Sequence, residues 1–125
     1  MGRYYSGDIE GKFWFAVQSS NSADRFGVKG VEPSVLNYWF TSDDIESVKN
    51  GLKEIEDNLG DKLPLMEKFF SERDMYNNTE LCNSINVDEE QAQYYLREFA
   101  DYKLGHKILD KLIETGSCEF EAELY

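Results

Sequence analysis

The stretch DEEQAQYYLREFADYKLGHKILDKLIETGSCEFEAEL, residues 88–124, changes from a helical period to a strand period at one glycine. Before Gly116, apolar side chains recur every three or four residues, which predicts an amphipathic helix over 88–115. After Gly116, apolar and acidic residues alternate, which predicts a half-buried strand over 118–124 with a solvated acidic face. A long helix that leads directly into such a strand indicates an α+β fold with helices on one face of a sheet.

The predicted long helix has a start signal in Asn86, followed three residues later by Glu89. One face of this helix forms an apolar seam, flanked by Ala92, Leu96, Ile108 and Leu112. The seam consists of Tyr95, Phe99, Tyr102, His106, Leu109 and Ile113. Gly105 lies in the middle of the helix, where we expect either a mild kink or close packing by another element. His106 is the only histidine of the chain, and its place on the seam favours a core or boundary role.

Two further helices are predicted earlier in the chain. The first spans 42–59, because its apolar residues step by three and four and because Thr41 and Asp44 resemble a capping box. Gly60 is expected to end it. A shorter helix follows over 64–73, where Pro64 suits the first turn.

The N-terminal third is rich in aromatic and β-branched residues, which favour strands. A strand is predicted over 12–18 with apolar residues on both faces, as in a central strand, and a second one over 35–40. A short edge strand near 3–5 is an optional addition. The sequence therefore predicts one α+β domain over 1–125, a small and mainly antiparallel sheet packed on one face by about three helices.

Charge and composition exclude several classes of function. The net charge of -12 argues against direct nucleic-acid binding and against docking on an anionic membrane. Residues 1–40 carry four basic and four acidic side chains, so the whole excess of negative charge lies in residues 41–125. The chain has no long apolar stretch and no signal-peptide core, and we therefore expect a soluble cytoplasmic protein.

No catalytic or metal-binding constellation is visible in the sequence. Two cysteines, Cys82 and Cys118, are too few for a disulfide scaffold and are expected to be free thiols. A single histidine cannot supply a multi-histidine metal site, and the glycines match no phosphate-binding motif. We predict no catalytic residues, no metal and no cofactor.

The segment 19–34 is the best candidate for a functional loop, because it is long and lacks a clear period. Arg25 stands out in it, since a guanidinium beside aromatic rings can clamp a carboxylate or phosphate. Trp14 and Trp39 are expected to be core residues more readily than a binding platform. The candidate contact residues are Arg25, Gln18, Asp24, Phe26, Trp14 and Trp39.

These features favour a small acidic binding or interaction protein without catalytic activity. Its partner would be an unidentified protein or small molecule that contacts the 19–34 loop and nearby aromatics. One alternative is a small enzyme that uses carboxylates or a divalent ion, and a second is an acidic decoy that imitates nucleic acid. The aromatic residues near the N-terminus exceed what three short strands need to bury, which makes a homodimer an alternative to the monomer.

Overall fold

One antiparallel sheet organises the protein in a computed structural model that describes residues 4–16, 18–28, 35–72 and 77–123. Its strands in the described ranges are β1 Tyr4–Gly7, β2 Gly11–Lys12, β3 Val35–Thr41 and β4 Ser117–Glu123. They lie in the order β2-β1-β4-β3, and every neighbouring pair is antiparallel. The C-terminal strand is therefore central, between the two segments that come first and third in the chain.

Helices accompany this sheet, which confirms the α+β class. They are α1 Ile45–Leu59, α2 Lys62–Ser71, α3 Asn78–Ile85 and α4 Glu89–Thr115. Within the described residues, no helix combines the length and hydropathy that a bilayer-spanning segment needs.

The alternation in β4 separates a buried face of the sheet from an exposed face. Cys118 and Phe120 are buried, whereas Glu119 and Glu121 are exposed, as the alternating pattern predicts. The same alternation runs through β3, whose Tyr38 lies opposite Phe120, with ring centroids 5.2 Å apart. The predicted strand over 118–124 is confirmed as far as Glu123, and Leu124 lies outside the described residues.

The exposed face of β3 carries Trp39, which lies opposite Glu119. Its side chain is 64% exposed, so the expectation of a core role is wrong for this tryptophan. Strand alternation explains the outcome, because Tyr38 and Phe40 occupy the inward positions on either side.

The predicted strand over 12–18 is wrong in extent and position. Only Gly11–Lys12 pairs, at the sheet edge, and the chain then forms a 3₁₀ turn over Trp14–Ala16. Phe15 adopts a positive φ of 59° in this turn, and its ring packs against Phe70 of α2. Val17 lies outside the described residues. Local β propensity loses here to the burial of aromatic rings among the helices.

The N-terminal strand also differs from its expected role. β1 lies between β2 and β4 and is not an edge strand, and its Tyr5 is buried against Phe120. The predicted position Arg3 lies outside the described residues.

The helix predictions hold for most boundaries. The capping box of Thr41 and Asp44 is present, although Ser42–Asp44 form a 3₁₀ turn before α1 begins. Gly60 and Gly116 follow the ends of α1 and α4 as expected. α2 begins at Lys62, two residues before Pro64, and the predicted end at Arg73 lies outside the described residues.

The predicted start signal of the long helix is wrong. Asp88 is the N-cap and forms a capping box with Gln91, whereas Asn86 ends α3 in a left-handed conformation with φ 59°. The sequence prediction also lacks α3 altogether. The eight residues of this helix, NTELCNSI, are too polar and too few to show a clear helical period.

The buried stripe of α4 is displaced from the predicted seam towards the apolar residues expected to flank it. It consists chiefly of Ala92, Leu96, Phe99, Ala100, Leu104, Gly105, Ile108 and Leu112. Most of the predicted seam lies at the boundary of the core, and its last member, Ile113, is 67% exposed. Gly105 is where another element packs closely, because an added Cβ would lie 2.6 Å from the ring of Phe26.

Candidate functional site

Arg25 lies at the centre of a polar cluster between α1 and α4. Its Nη1 donates to Glu98 Oε2 over 2.8 Å and to Asp101 Oδ2 over 2.9 Å, and its Nη2 donates to Glu98 Oε1 over 3.2 Å. Glu54 of α1 lies 3.6 Å from Nη2. Arg25 therefore clamps carboxylates, as its residue type suggested, but the carboxylates belong to the same chain.

Gln18 extends this cluster towards the sheet. Its Nε2 donates to Asp101 Oδ1 over 2.7 Å, while its Oε1 accepts the hydroxyl proton of Tyr5 over 2.9 Å. Asn58 of α1 donates to Glu98 Oε1 over 2.8 Å at the other end. Among the described residues, no buried side-chain nitrogen or oxygen lacks a hydrogen-bond partner. The buried polar atoms of the cluster thus find their partners within the chain, which suits an architectural role.

The two buried carboxylates respond differently to this environment. Burial favours the neutral form of both. At Glu98, hydrogen bonds from Arg25 and Asn58 outweigh burial and lower its pKa. At Asp101, burial prevails over the hydrogen bonds from Gln18 and Arg25, and the pKa is raised. Burial would lower the pKa of Arg25, but both carboxylates raise it.

The remaining predicted contact residues lie in different places. Asp24 accepts a hydrogen bond from the hydroxyl of Tyr38, which anchors the loop to β3. Phe26 is fully buried against Gly51 and Gly105, so its side chain belongs to the core and is not accessible to a ligand.

Trp39 lies on the exposed face of the sheet. The structure brings Arg25 and Gln18 together, but it separates them from Trp39. Residues 29–34 of the predicted loop lie outside the described part of the chain.

A cleft lined by Trp14 opens between α2 and α4. Its volume is about 380 Å³, which falls in the range of small-molecule sites. Aromatic side chains form much of the wall: Trp14, Phe70, Phe99 and Tyr102. The rings of Phe70 and Phe99 stack nearly parallel, with centroids 5.5 Å apart, so Phe99 is buried behind Phe70 at this wall.

Cationic and hydrogen-bonding groups border this aromatic surface. Lys103, His106 and Lys107 line the cleft from α4, and Glu67 and Ser71 line it from α2. The Nζ of Lys103 lies 5.1 Å from the ring centroid of Phe99. His106 packs edge-on against Tyr102, with the ring centroids 4.4 Å apart, so it lies at the boundary of the core.

The backbone beside the cleft is strained at Phe15. A positive φ is unfavourable for a bulky residue, and such strain persists only where the surrounding structure enforces it. Here the ring of Phe15 packs on Phe70, with centroids 4.7 Å apart, while the preceding Trp14 faces the cleft. The strained turn therefore completes the aromatic wall.

Sequence reasoning missed most residues of both sites. Glu98 and Asp101 could have been predicted from the sequence as partly buried acids, because they stand beside Phe99 and Ala100 of the apolar stripe of α4. For Lys103 and Lys107, the shared helical face with Phe99 follows from spacings of four. The opposing wall from α2 follows from no local spacing, so the sequence alone does not reveal the cleft.

The carboxylates and other potential ligands do not form a metal centre in the described ranges. Residues 4–16, 18–28, 35–72 and 77–123 contain no group of three or more His, Cys, Asp or Glu side chains arranged to hold an ion. Glu98 and Asp101 do converge, but on the guanidinium of Arg25.

Comparisons with protein-family models, with curated proteins and with solved structures find no match for this chain.

Proposed function

We propose that this is a small non-catalytic binding protein whose ligand lies in the aromatic cleft beside Trp14. The observation that carries the proposal is the cleft itself, a concave space of about 380 Å³ whose wall includes the half-buried rings of Trp14, Phe70 and Tyr102. Binding sites for small molecules combine such apolar walls with a few polar groups that orient the ligand. His106 and Ser71 are polar groups of this kind at the cleft.

The ion pairs of Arg25 within the chain favour the cleft over the 19–34 loop as the contact site. The guanidinium is already surrounded by the carboxylates of Glu54, Glu98 and Asp101, which neutralise its charge and disfavour an external anion. The described part of the loop, 19–28, therefore serves to connect the sheet, α1 and α4. Trp14 is the predicted contact residue that remains at the proposed site.

A single-tryptophan variant tests this proposal. The chain has two tryptophans, so Trp39→Phe leaves Trp14 as the only indole. We expect 2-naphthalenemethanol, a neutral planar probe, to produce a saturable change in Trp14 fluorescence. Ser71→Phe should block the cleft and abolish this change, whereas Ser84→Phe, on the exposed side of α3, should leave it intact. Absence of saturation, or equal binding by both serine variants, would reject the proposal.

Self-association through β3 is a second candidate function. The strand reads VLNYWFT without any charge, ends the sheet order, and exposes Trp39. Uncharged edge strands favour pairing with another strand, here the β3 of a second copy. Trp39→Lys should abolish a dimer measured by sedimentation velocity, whereas Leu65→Lys, at an exposed residue of α2, should not. A wild-type monomer at every concentration would exclude this candidate.

A metal-dependent enzyme and an acidic decoy of nucleic acid receive less support. A divalent ion at Glu98 and Asp101 would have to displace Arg25, and an acidic surface is interrupted on α4 by Lys103 and Lys107.

We also propose a cytoplasmic location for the protein. Cys82 and Cys118 are free thiols, and a reducing compartment preserves thiols in that form.

A further inference from the structure

We propose that the ligand of the aromatic cleft is a planar aromatic compound that carries a negative charge, with Lys103 and Lys107 as its anion-binding residues. This inference rests on the proposed function and adds the chemical class of the ligand. The relevant probe chemistry is an aromatic carboxylate, which joins one flat apolar body to one anionic group.

The two lysines lie together on α4, on the side that faces the cleft. Lys103 and Lys107 are four residues apart and therefore neighbours on one face of the helix, and both line the cleft. Phe99, four residues before Lys103, belongs to the same face. Phe99 itself is buried, so a ligand would contact the half-buried rings of Phe70 and Tyr102 and would have both lysines on the α4 side of the cleft.

The charge of the cleft differs from that of the acidic part of the chain around it. Residues 41–125 contain 9 basic and 21 acidic side chains, yet the cleft is lined by two lysines and one carboxylate, Glu67. Its cations are thus a local excess in an acidic part of the chain. Glu67 lies on α2, so an anionic group is directed towards the α4 side of the cleft.

The lysines do not serve as ordinary helix ion pairs. In the described part of the chain, no carboxylate lies within ion-pair distance of Lys103 or Lys107. Along α4, Lys103, Lys107 and Lys111 follow one another at spacings of four, which places like charges next to one another on one face of the helix. An anion bound between Lys103 and Lys107 would offset this repulsion.

Two matched probes test the inference. We expect 2-naphthoate to bind roughly tenfold more tightly than neutral 2-naphthalenemethanol at low salt, and high salt should reduce this preference. The double variant Lys103→Gln/Lys107→Gln should lose the preference for the carboxylate but still bind the neutral probe. Lys49→Gln/Lys53→Gln changes a pair of exposed lysines with the same spacing on α1 and should retain the preference.

The outcomes separate the two proposals. If both probes bind equally, or if the neutral probe binds more tightly, the anionic ligand class is wrong and the cleft remains a binding site. If neither probe binds, the proposed function fails and the inference fails with it. Loss of the preference in the α1 variant as well would show that net charge, and not the cleft lysines, selects the anion.

Discussion

The side chain of Gln18 donates a 2.7 Å hydrogen bond to Asp101, which lies 83 positions later in the chain. Both residues are buried, with 2% and 8% exposure. Asp101 also accepts from Arg25, so this contact connects the segment before the loop with the loop itself and with α4. The loop is thereby anchored at two points, and its position depends on residues far away in sequence.

Arg25→Ala should destabilise the fold by about 2–4 kcal/mol at pH 7, because Glu98 and Asp101 would remain buried without their cation. This range is reduced for the partial exposure of Arg25. Urea denaturation measures the change, and Arg97→Ala, at an exposed arginine of α4, should cost less than about 0.5 kcal/mol.

The destabilisation by Arg25→Ala should also depend on pH. In the wild type the pKa of Glu98 is lowered, so its stabilising contribution exists above the ordinary carboxyl range and disappears as the pH falls. The Arg25→Ala variant lacks this contribution. Protonation of its buried carboxyl groups removes the cost of burying them as unpaired charges. The difference in unfolding free energy should therefore shrink between pH 7 and about pH 4. A constant difference would contradict the role of Arg25 as their counterion.

Gly105→Ala should destabilise the protein by about 1–3 kcal/mol, although alanine favours helices more than glycine does. The added Cβ would lie 2.6 Å from Phe26 and 2.7 Å from Leu52. Combining it with Phe26→Leu provides the control, because the smaller side chain frees space. The double variant should lose less stability than the sum of the single variants in thermal or urea unfolding. Strict additivity would show that the two residues do not compete for this space.

Asp88→Ala should cost about 1 kcal/mol, because it removes the N-cap of α4. Asn86→Gly should change stability by less than about 0.5 kcal/mol, or increase it, since glycine accepts the positive φ at this position without strain. Denaturation curves of the two variants compare them directly. A larger loss from Asn86→Gly would restore Asn86 as the start signal of α4.

Stability should fall in alkaline solution because of Cys118. Burial, with a smaller contribution from Asp8, raises the pKa of this thiol to about 12, whereas an unfolded cysteine titrates at about pH 8.5. Between these values the unfolded chain releases a proton that the folded protein retains, which costs about 1.4 kcal/mol per pH unit. Between pH 7 and pH 10, the unfolding free energy of Cys118→Ala should fall by about 2 kcal/mol less than that of the wild type. Parallel pH profiles would show that Cys118 does not titrate on unfolding.

Local signals predicted the regular elements well. The apolar steps of α1, the alternation in β4, and the stops at Gly60 and Gly116 depend on neighbours within a few residues. Such signals report which face of an element is apolar, and this was sufficient for the α+β class. They failed at residues 12–18, where an aromatic run with high β propensity forms a short strand and then a 3₁₀ turn.

The candidate sites depend on contacts that no local pattern contains. The type of residue 25 indicated that it could hold carboxylates, and its partners Glu98 and Asp101 came into range through folding. The cleft likewise needs α2 and α4 to bring Phe70 against Phe99. Periodicity thus establishes the elements and their apolar faces, because both arise from neighbouring residues. Partners, exposed faces and clefts arise from packing between distant segments, where burial of large side chains outweighs local preference.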